Sequence, residues 1–260
     1  MCRLLGIVAS EPTEFKIVLR EAPRSMSTMS HEHSDGWGLA IHDNEAKRWR
    51  VHRGIERASD DRMFHEVAVG SRGELLVAHI RKKTVGSTSL ENTHPFHRGR
   101  WVFAHNGTIK DLDYLRSRTS LARAQEVCGQ TDSEIFFSYL LTLIDDTPSE
   151  QRDGALAQAL REARERSGFG AFNFLLSDGD VTYAHRFGRT LFMLERGPHD
   201  EVRVKRTSQV GSIVHTPWSQ RRQAIFVASE KMTDEPWEEI LEGTLLRVDT
   251  APLPRWRLLA

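Results

Sequence analysis

Nine short apolar runs come along the chain in blocks rather than in strict alternation with helices, and this ordering narrows the fold more than any other feature. The runs are Leu4–Ala9, Gly38–His42, Leu75–His79, Trp101–His105, Phe172–Leu176, Val181–His185, Leu191–Leu194, Ala224–Ala228 and Leu245–Val248. Each has the length, apolar content and flanking turn residues of a strand. Helical patterns are fewer. Thr131 followed by Glu134 forms a capping box ahead of Ile135, Phe136, Tyr139, Leu140 and Leu143, which share one helical face. A second helix is expected from about Ser149 to Ser167, with Ala155, Leu156, Ala159, Leu160 and Ala163 as its stripe and Gly168 as its stop. A third is expected from Ser59 through Ala68. A doubly wound parallel sheet requires strand and helix to alternate, so the blocks predict an α+β fold of helices layered on antiparallel sheet.

Composition removes several function classes. The 260 residues carry 36 basic and 36 acidic side chains, and this balance argues against a dedicated nucleic-acid binder. No stretch approaches the roughly 18 to 20 apolar residues of a membrane helix; the richest run, Ile135 to Ile144, includes Ser138 and Thr142. The two cysteines, Cys2 and Cys128, cannot build a disulfide framework, and no secretory signal opens the chain, so the expected compartment is a reducing cytoplasm. No repeat or long linker divides the sequence, and one domain over residues 1–260 is expected. Gly36-Trp37-Gly38 lacks the spacing of a dinucleotide loop, and no nucleotide or other cofactor is expected.

Cys2 directly follows Met1. Aminopeptidases that trim the initiator methionine accept a small second residue, and trimming would leave cysteine with a free α-amine. That amine has a reference pKa of about 7.7 to 8.0, so near neutral pH it can take the thiol proton and later return it to a leaving group. Taken alone, Cys2 is better read as a small apolar residue opening a strand. The rest of the sequence decides between these readings.

Met1-Cys2-Arg3-Leu4-Leu5-Gly6-Ile7, Asp35-Gly36-Trp37-Gly38, Ala78-His79-Ile80-Arg81, His105-Asn106-Gly107 and Thr131-Asp132-Ser133-Glu134 follow one another in that order. The series resembles the class II glutamine amidotransferases, whose nucleophile is an N-terminal cysteine. It looks most like their stand-alone branch, which includes γ-glutamyl hydrolases of ergothioneine synthesis and glutathione breakdown. The matching motifs cover residues 1 to about 140. The resemblance implies a four-layer αββα sandwich of the N-terminal-nucleophile hydrolase type, with two mainly antiparallel sheets face to face and helices outside.

It also implies roles. Cys2 would attack a γ-glutamyl amide, while the Asn106 side-chain amide and the Gly107 backbone N–H would receive the negative charge that develops on the carbonyl oxygen. Read locally, Asn-Gly is instead the strongest short signal for a type I′ hairpin turn. Arg81 would clamp the substrate α-carboxylate, and Asp132 would hold its α-ammonium. Locally, Arg81 belongs to a solvated charge run with Lys82 and Lys83, and Asp132 is an acidic first-turn residue favouring the helix dipole. Where fused amidotransferases read Arg-aromatic-Ala-Thr-His-Gly, this chain reads Arg81-Lys82-Lys83-Thr84-Val85-Gly86. Thr84 keeps the frame of a substrate loop. His94 is expected beside the site as support, Trp37 in the core, and Asn173, Asp178, Ser229 and Glu230 in structural roles.

The expected activity is release of ammonia or an amine from glutamine or a γ-glutamyl compound through a Cys2 thioester, by simple hydrolysis or with ammonia passed to a separate subunit. Two other classes compete. A metal hydrolase would use some of the twelve histidines, such as His31, His33, His94 and His97 with Asp35 or His105, but neither His-Glu-x-x-His nor Cys-x-x-Cys occurs. A non-catalytic binding module would keep the fold without turnover. It has no chemical reason to retain nucleophile, oxyanion donors, cationic fork and acid together.

Overall fold

The computed structural model describes residues 2–197 and 222–259. The first half of the chain supplies strands β1 (Arg3–Glu14), β2 (Trp37–Asp43), β3 (Arg48–Gly54), β4 (Arg72–Ile80), β5 (Phe96–Arg98) and β6 (Trp101–Ile109). The second half adds β7 (Gly170–Ser177), β8 (Val181–His185), β9 (Phe192–Arg196), β10 (Ala224–Ala228), β11 (Glu238–Glu239), β12 (Leu245–Asp249) and β13 (Arg255–Leu259). They form a seven-stranded sheet in the order β11-β9-β10-β1-β4-β2-β3 and a six-stranded sheet in the order β13-β12-β8-β7-β6-β5. Neighbouring strands pair antiparallel in both. All nine apolar runs lie within strands, Leu191 alone falling just outside its strand.

Side-chain alternation along β1 builds the layers, because successive residues point to opposite faces of a strand. Leu4 and Val8 join Val102, Ala104 and Leu175 of the six-stranded sheet in the core between the sheets. Gly6 brings the sheets close: a Cβ there would stand 3.1 Å from Leu175. Leu5 and Ile7 face the other way, into a core with Phe15, Trp37 and Phe64 beneath α1 (Met26–Met29) and α2 (Arg62–Gly70). On the far side, α3 (Leu112–Ser117), α4 (Leu121–Gln125), α5 (Asp132–Asp145) and α6 (Arg152–Glu165) accompany the six-stranded sheet. Phe136 and Phe137 of α5 pack there on Phe103, Phe172 and Phe174. The result is the expected αββα sandwich.

Helix boundaries depart from the sequence reading in ways that matter locally. The second helix opens with a 3-10 turn, Ser149–Gln151, and its α-helical part runs from Arg152 to Glu165. The third begins at Arg62, where Asp61 rather than Ser59 accepts the first free N–H, from Met63. The capping box at α5 is only half formed. Thr131 Oγ1 accepts the Glu134 N–H at 3.2 Å, but the Glu134 carboxylate turns to the N–H groups of Cys128 and Gly129 and to Arg98 instead of returning to Thr131.

Candidate active site

β1 lies between β10 and β4 in the seven-stranded sheet, and its first residues set the site. Arg3 pairs with Ile80, so Cys2 falls opposite Arg81 one step beyond the end of β4. Arg81 and Cys2 therefore share the face that looks toward the second sheet. The half-buried Cys2 thiol donates to the Lys82 carbonyl at 3.4 Å and its sulfur accepts the Lys82 N–H at 3.3 Å. Burial pushes the thiol above its ordinary pKa, opposed by that N–H and by the charge of Arg81. The resting group is accordingly a thiol that needs a nearby base. Met1, whose removal would free that base, lies outside the described residues.

The Asp35-Gly36-Trp37-Gly38 segment supports the nucleophile from the other edge of β4. Arg81 N–H donates to the Gly36 carbonyl, Asp35 N–H to the Arg81 carbonyl, and Lys83 N–H to the Asp35 carboxylate at 2.9 Å. Trp37 is fully buried and donates its indole N–H to Asp61, a core role. Glycine is required at 38, where a Cβ would meet the His94 carbonyl at 2.0 Å.

Arg81 is 3% exposed, so it is no solvated member of a charge run. Its guanidinium donates to the carbonyls of Ser87 and Val85, which folds the Lys82–Ser87 loop over it. No carboxylate among the described residues pairs with it. From the opposite sheet and α5 comes Asp132, 5% exposed, accepting the Ile109 N–H at 2.6 Å and likewise without an ion-pair partner among the described residues. Cys2, Arg81, Thr84, His94, Gly107 and Asp132 line one cleft of about 300 Å³, measured to its open mouth.

Asn106 and Gly107 stand inside β6, paired with Asn173 and Phe172 of β7, not at a hairpin turn. The local Asn-Gly reading is overturned because β7 supplies a partner for each residue and β6 runs on to Ile109. Glycine is needed at 107 for close packing: a Cβ would lie 1.9 Å from the Ala171 carbonyl. Asn106 is buried, its amide nitrogen 3.4 Å from Ser229 Oγ, which also accepts the Leu4 N–H at 3.0 Å. Ser229 thus links the nucleophile's strand to Asn106. The sequence offered no signal for this link beyond the Val-Ala-Ser-Glu run.

Beneath the cleft lie three buried histidines. His79 and His94 pack with ring centroids 4.3 Å apart and planes tilted by 37°, and His79 Nε2 donates to the His105 carbonyl at 3.2 Å. Burial lowers His79 to about 3 and holds His94 well below its ordinary value; both are neutral. Burial also lowers His105, against the pull of Asp132. Its Nδ1 is 2.8 Å from the hydroxyl of Ser133, a cleft residue that motif reading passed over. His94 lines the cleft. Among the described residues no group of three or more His, Cys, Asp or Glu is arranged to hold a metal.

Asn173 bridges Phe187, Arg189 and Thr190 in the backbone behind β7, and Asp178 accepts the N–H groups of Asp180 and Val181 in the β7–β8 turn. Glu230 binds Arg3 and Arg24. No helix among the described residues is long and apolar enough to cross a membrane.

Two antiparallel sheets packed face to face with helices outside make the N-terminal-nucleophile hydrolase fold. The chain belongs to the class II glutamine amidotransferases, whose family model matches residues 1–253. YafJ of Escherichia coli is 30% identical over 94% of this chain and 95% of its own length. The γ-glutamyl-hercynylcysteine sulfoxide hydrolase of Mycobacterium tuberculosis is 29% identical over 75% of this chain and 81% of its own. The phosphoribosylpyrophosphate amidotransferase of Bacillus subtilis has the same fold, with a TM-score of 0.63 at 17% identity; it covers 99% of this chain, which spans 49% of that longer one.

Proposed function

We propose that this chain is a single-domain amidohydrolase that cleaves the γ-amide of glutamine or a γ-glutamyl compound through a thioester on Cys2. One observation carries the reading. The cleft at the thiol holds a buried arginine and a buried aspartate that form no ion pair among the described residues. An uncompensated buried charge is costly, so the pair fits a ligand bearing one carboxylate and one ammonium at the same end. That is the amino-acid end of a γ-glutamyl group.

In the proposed reaction the α-amine of Cys2, freed by loss of Met1, takes the thiol proton as sulfur attacks the γ-carbonyl. Asn106 and the Gly107 N–H receive the oxyanion; one such donor is typically worth about 2.7 to 4 kcal/mol. Collapse breaks the C–N bond, and the proton passes from the amine to the departing nitrogen. Water then attacks the thioester, releasing glutamate and regenerating the thiol. Arg81, Asp132 and Thr84 hold the glutamyl end, with His94 as support. Similarity to the mycobacterial γ-glutamyl hydrolase favours hydrolysis as the outcome. The test is glutamate release from glutamine, glutathione and a panel of γ-glutamyl amides, with acid quench during turnover. Glutamate release with a γ-glutamyl group recovered on the chain is expected; no release from any of these compounds would contradict the reading.

A further inference from the structure

A second cavity opens at the same end of β1, on the opposite face of the sheet from the thiol. Cys2 and Arg3 are adjacent on an extended strand, so their side chains diverge. Arg3 points to the helical side, with Ile80 opposite it. There Arg3, Arg24, Glu32, His33 and Glu230 line a polar cavity of about 620 Å³, measured to its open mouth, with Thr28 and Met29 of α1 as part of its wall.

The cavity is built around a fixed polar floor. Arg3 binds Glu230 at 2.9 Å and also donates to the Cys2 carbonyl at 3.2 Å, tying the floor to the nucleophile's own backbone. His33 is 3% exposed, and neither ring nitrogen has a hydrogen-bond partner. Burial, reinforced by the charge of Arg3, lowers it to about 4, so near neutral pH it offers one N–H and one lone pair. A buried imidazole with both nitrogens unmatched is costly unless something else pairs with it. At the rim stand two exposed groups of opposite sign. Arg24 reaches Glu230 only at 3.5 Å, and Glu32 has no ion-pair partner among the described residues.

Position connects the cavity to the chemistry. In the proposed reaction the amine leaves with a proton from the Cys2 α-amine, which sits at the tip of β1. The two cavities flank the same end of β1 on opposite faces, and His33 of the second lies within electrostatic reach of Lys82, which lines the first. We propose that the cavity formed by Arg24, Glu32 and His33 binds the amine portion of the substrate, and that this portion is dipolar, carrying its own carboxylate and a cationic group. Arg24 takes the carboxylate, Glu32 the cation, and His33 a polar atom between them. Plain glutamine leaves this cavity unused. The inference rests on the γ-glutamyl hydrolase reading above.

The test compares kcat/KM for γ-glutamyl-lysine linked through its α-nitrogen, for γ-glutamylethylamide and for glutamine, in the wild type and in Arg24→Ala and Glu32→Ala, both at exposed positions. The wild type should prefer γ-glutamyl-lysine over the ethylamide by about tenfold or more. Each variant should lower the ratio of γ-glutamyl-lysine to glutamine by about tenfold, mainly through KM. An unchanged ratio in both variants, or a wild type that prefers the ethylamide, would overturn the subsite while glutamine hydrolysis left the parent reading intact. If the wild type hydrolyses none of the three, the subsite fails; if it also releases no glutamate from glutathione or the panel of γ-glutamyl amides, the parent reading fails with it.

Discussion

Two acids in the first turn of α5, two residues apart, are treated in opposite ways. Glu134 is saturated: it accepts from Arg98 at 2.6 Å and from the N–H groups of Cys128 and Gly129, and Arg98 itself also reaches Ser138. Asp132 is as deeply buried but takes one backbone N–H and, among the described residues, no cation. The arginines mirror them, Arg98 paired and Arg81 bonded only to carbonyls. Burial alone therefore does not mark a functional charge. The saturated pair ties β5 and the 126–129 loop to α5, whereas the unsaturated pair is poised for a ligand.

Substitutions should separate the two pairs, and the largest effect belongs to the nucleophile that the open pair serves. Cys2→Ala should abolish turnover, measured as glutamate release, with an unchanged circular-dichroism spectrum and melting temperature. Appreciable residual glutaminase activity would break the account of the cleft. Glu134→Ala leaves the buried Arg98 with only Glu126, 3.7 Å away, as a carboxylate partner and should cost about 1 to 3 kcal/mol of stability by denaturant titration. Its KM for the substrate should stay near wild type under conditions where it is folded.

Arg81→Lys should act the other way. It keeps a charge but loses the planar fork, so KM should rise about 10- to 100-fold, the equivalent of roughly 1.5 to 3 kcal/mol, with little change in melting temperature. A variant that melts early with an unchanged KM would make Arg81 a structural twin of Arg98. A further effect is on pH. His79 and His185 are held to about 3 by burial, below their ordinary value near 6.5, so the unfolded state binds protons first. Stability should be full above pH 6.5 and decline as pH falls from 6.5 toward 3, by about 2 kcal/mol per histidine at pH 5. Flat stability between pH 7 and 5 would contradict neutral burial of these rings.

The interior of the fold was legible because central strands are buried on both faces and read as apolar runs. The four strands that pattern reading missed, β3, β5, β11 and β13, are the four sheet edges. Edge strands carry charge to blunt further pairing, as in Arg48-Trp49-Arg50-Val51-His52-Arg53 and Arg255-Trp256-Arg257. The short helices α1, α3 and α4, at four to six residues, are too brief to show a helical period.

In the site, Cys2, Arg81, Thr84, His94, Gly107 and Asp132 converge as their motifs implied. Asn106 was misread locally because a two-residue turn signal cannot register a strand arriving from residue 170 onward. The His79–His94 ring pair, the His105–Ser133 contact and the Ser229 bridge depend on packing between elements distant in sequence, which no local pattern encodes.

The central claim is that Cys2 is an N-terminal nucleophile in a γ-glutamyl site. Incubation of the purified protein with 6-diazo-5-oxo-norleucine, followed by intact mass and peptide mapping, tests it directly. The account predicts a chain that begins at Cys2 and carries one covalent adduct on that residue, formed more slowly in the presence of glutamine. A chain that retains Met1 and acquires no adduct would contradict it.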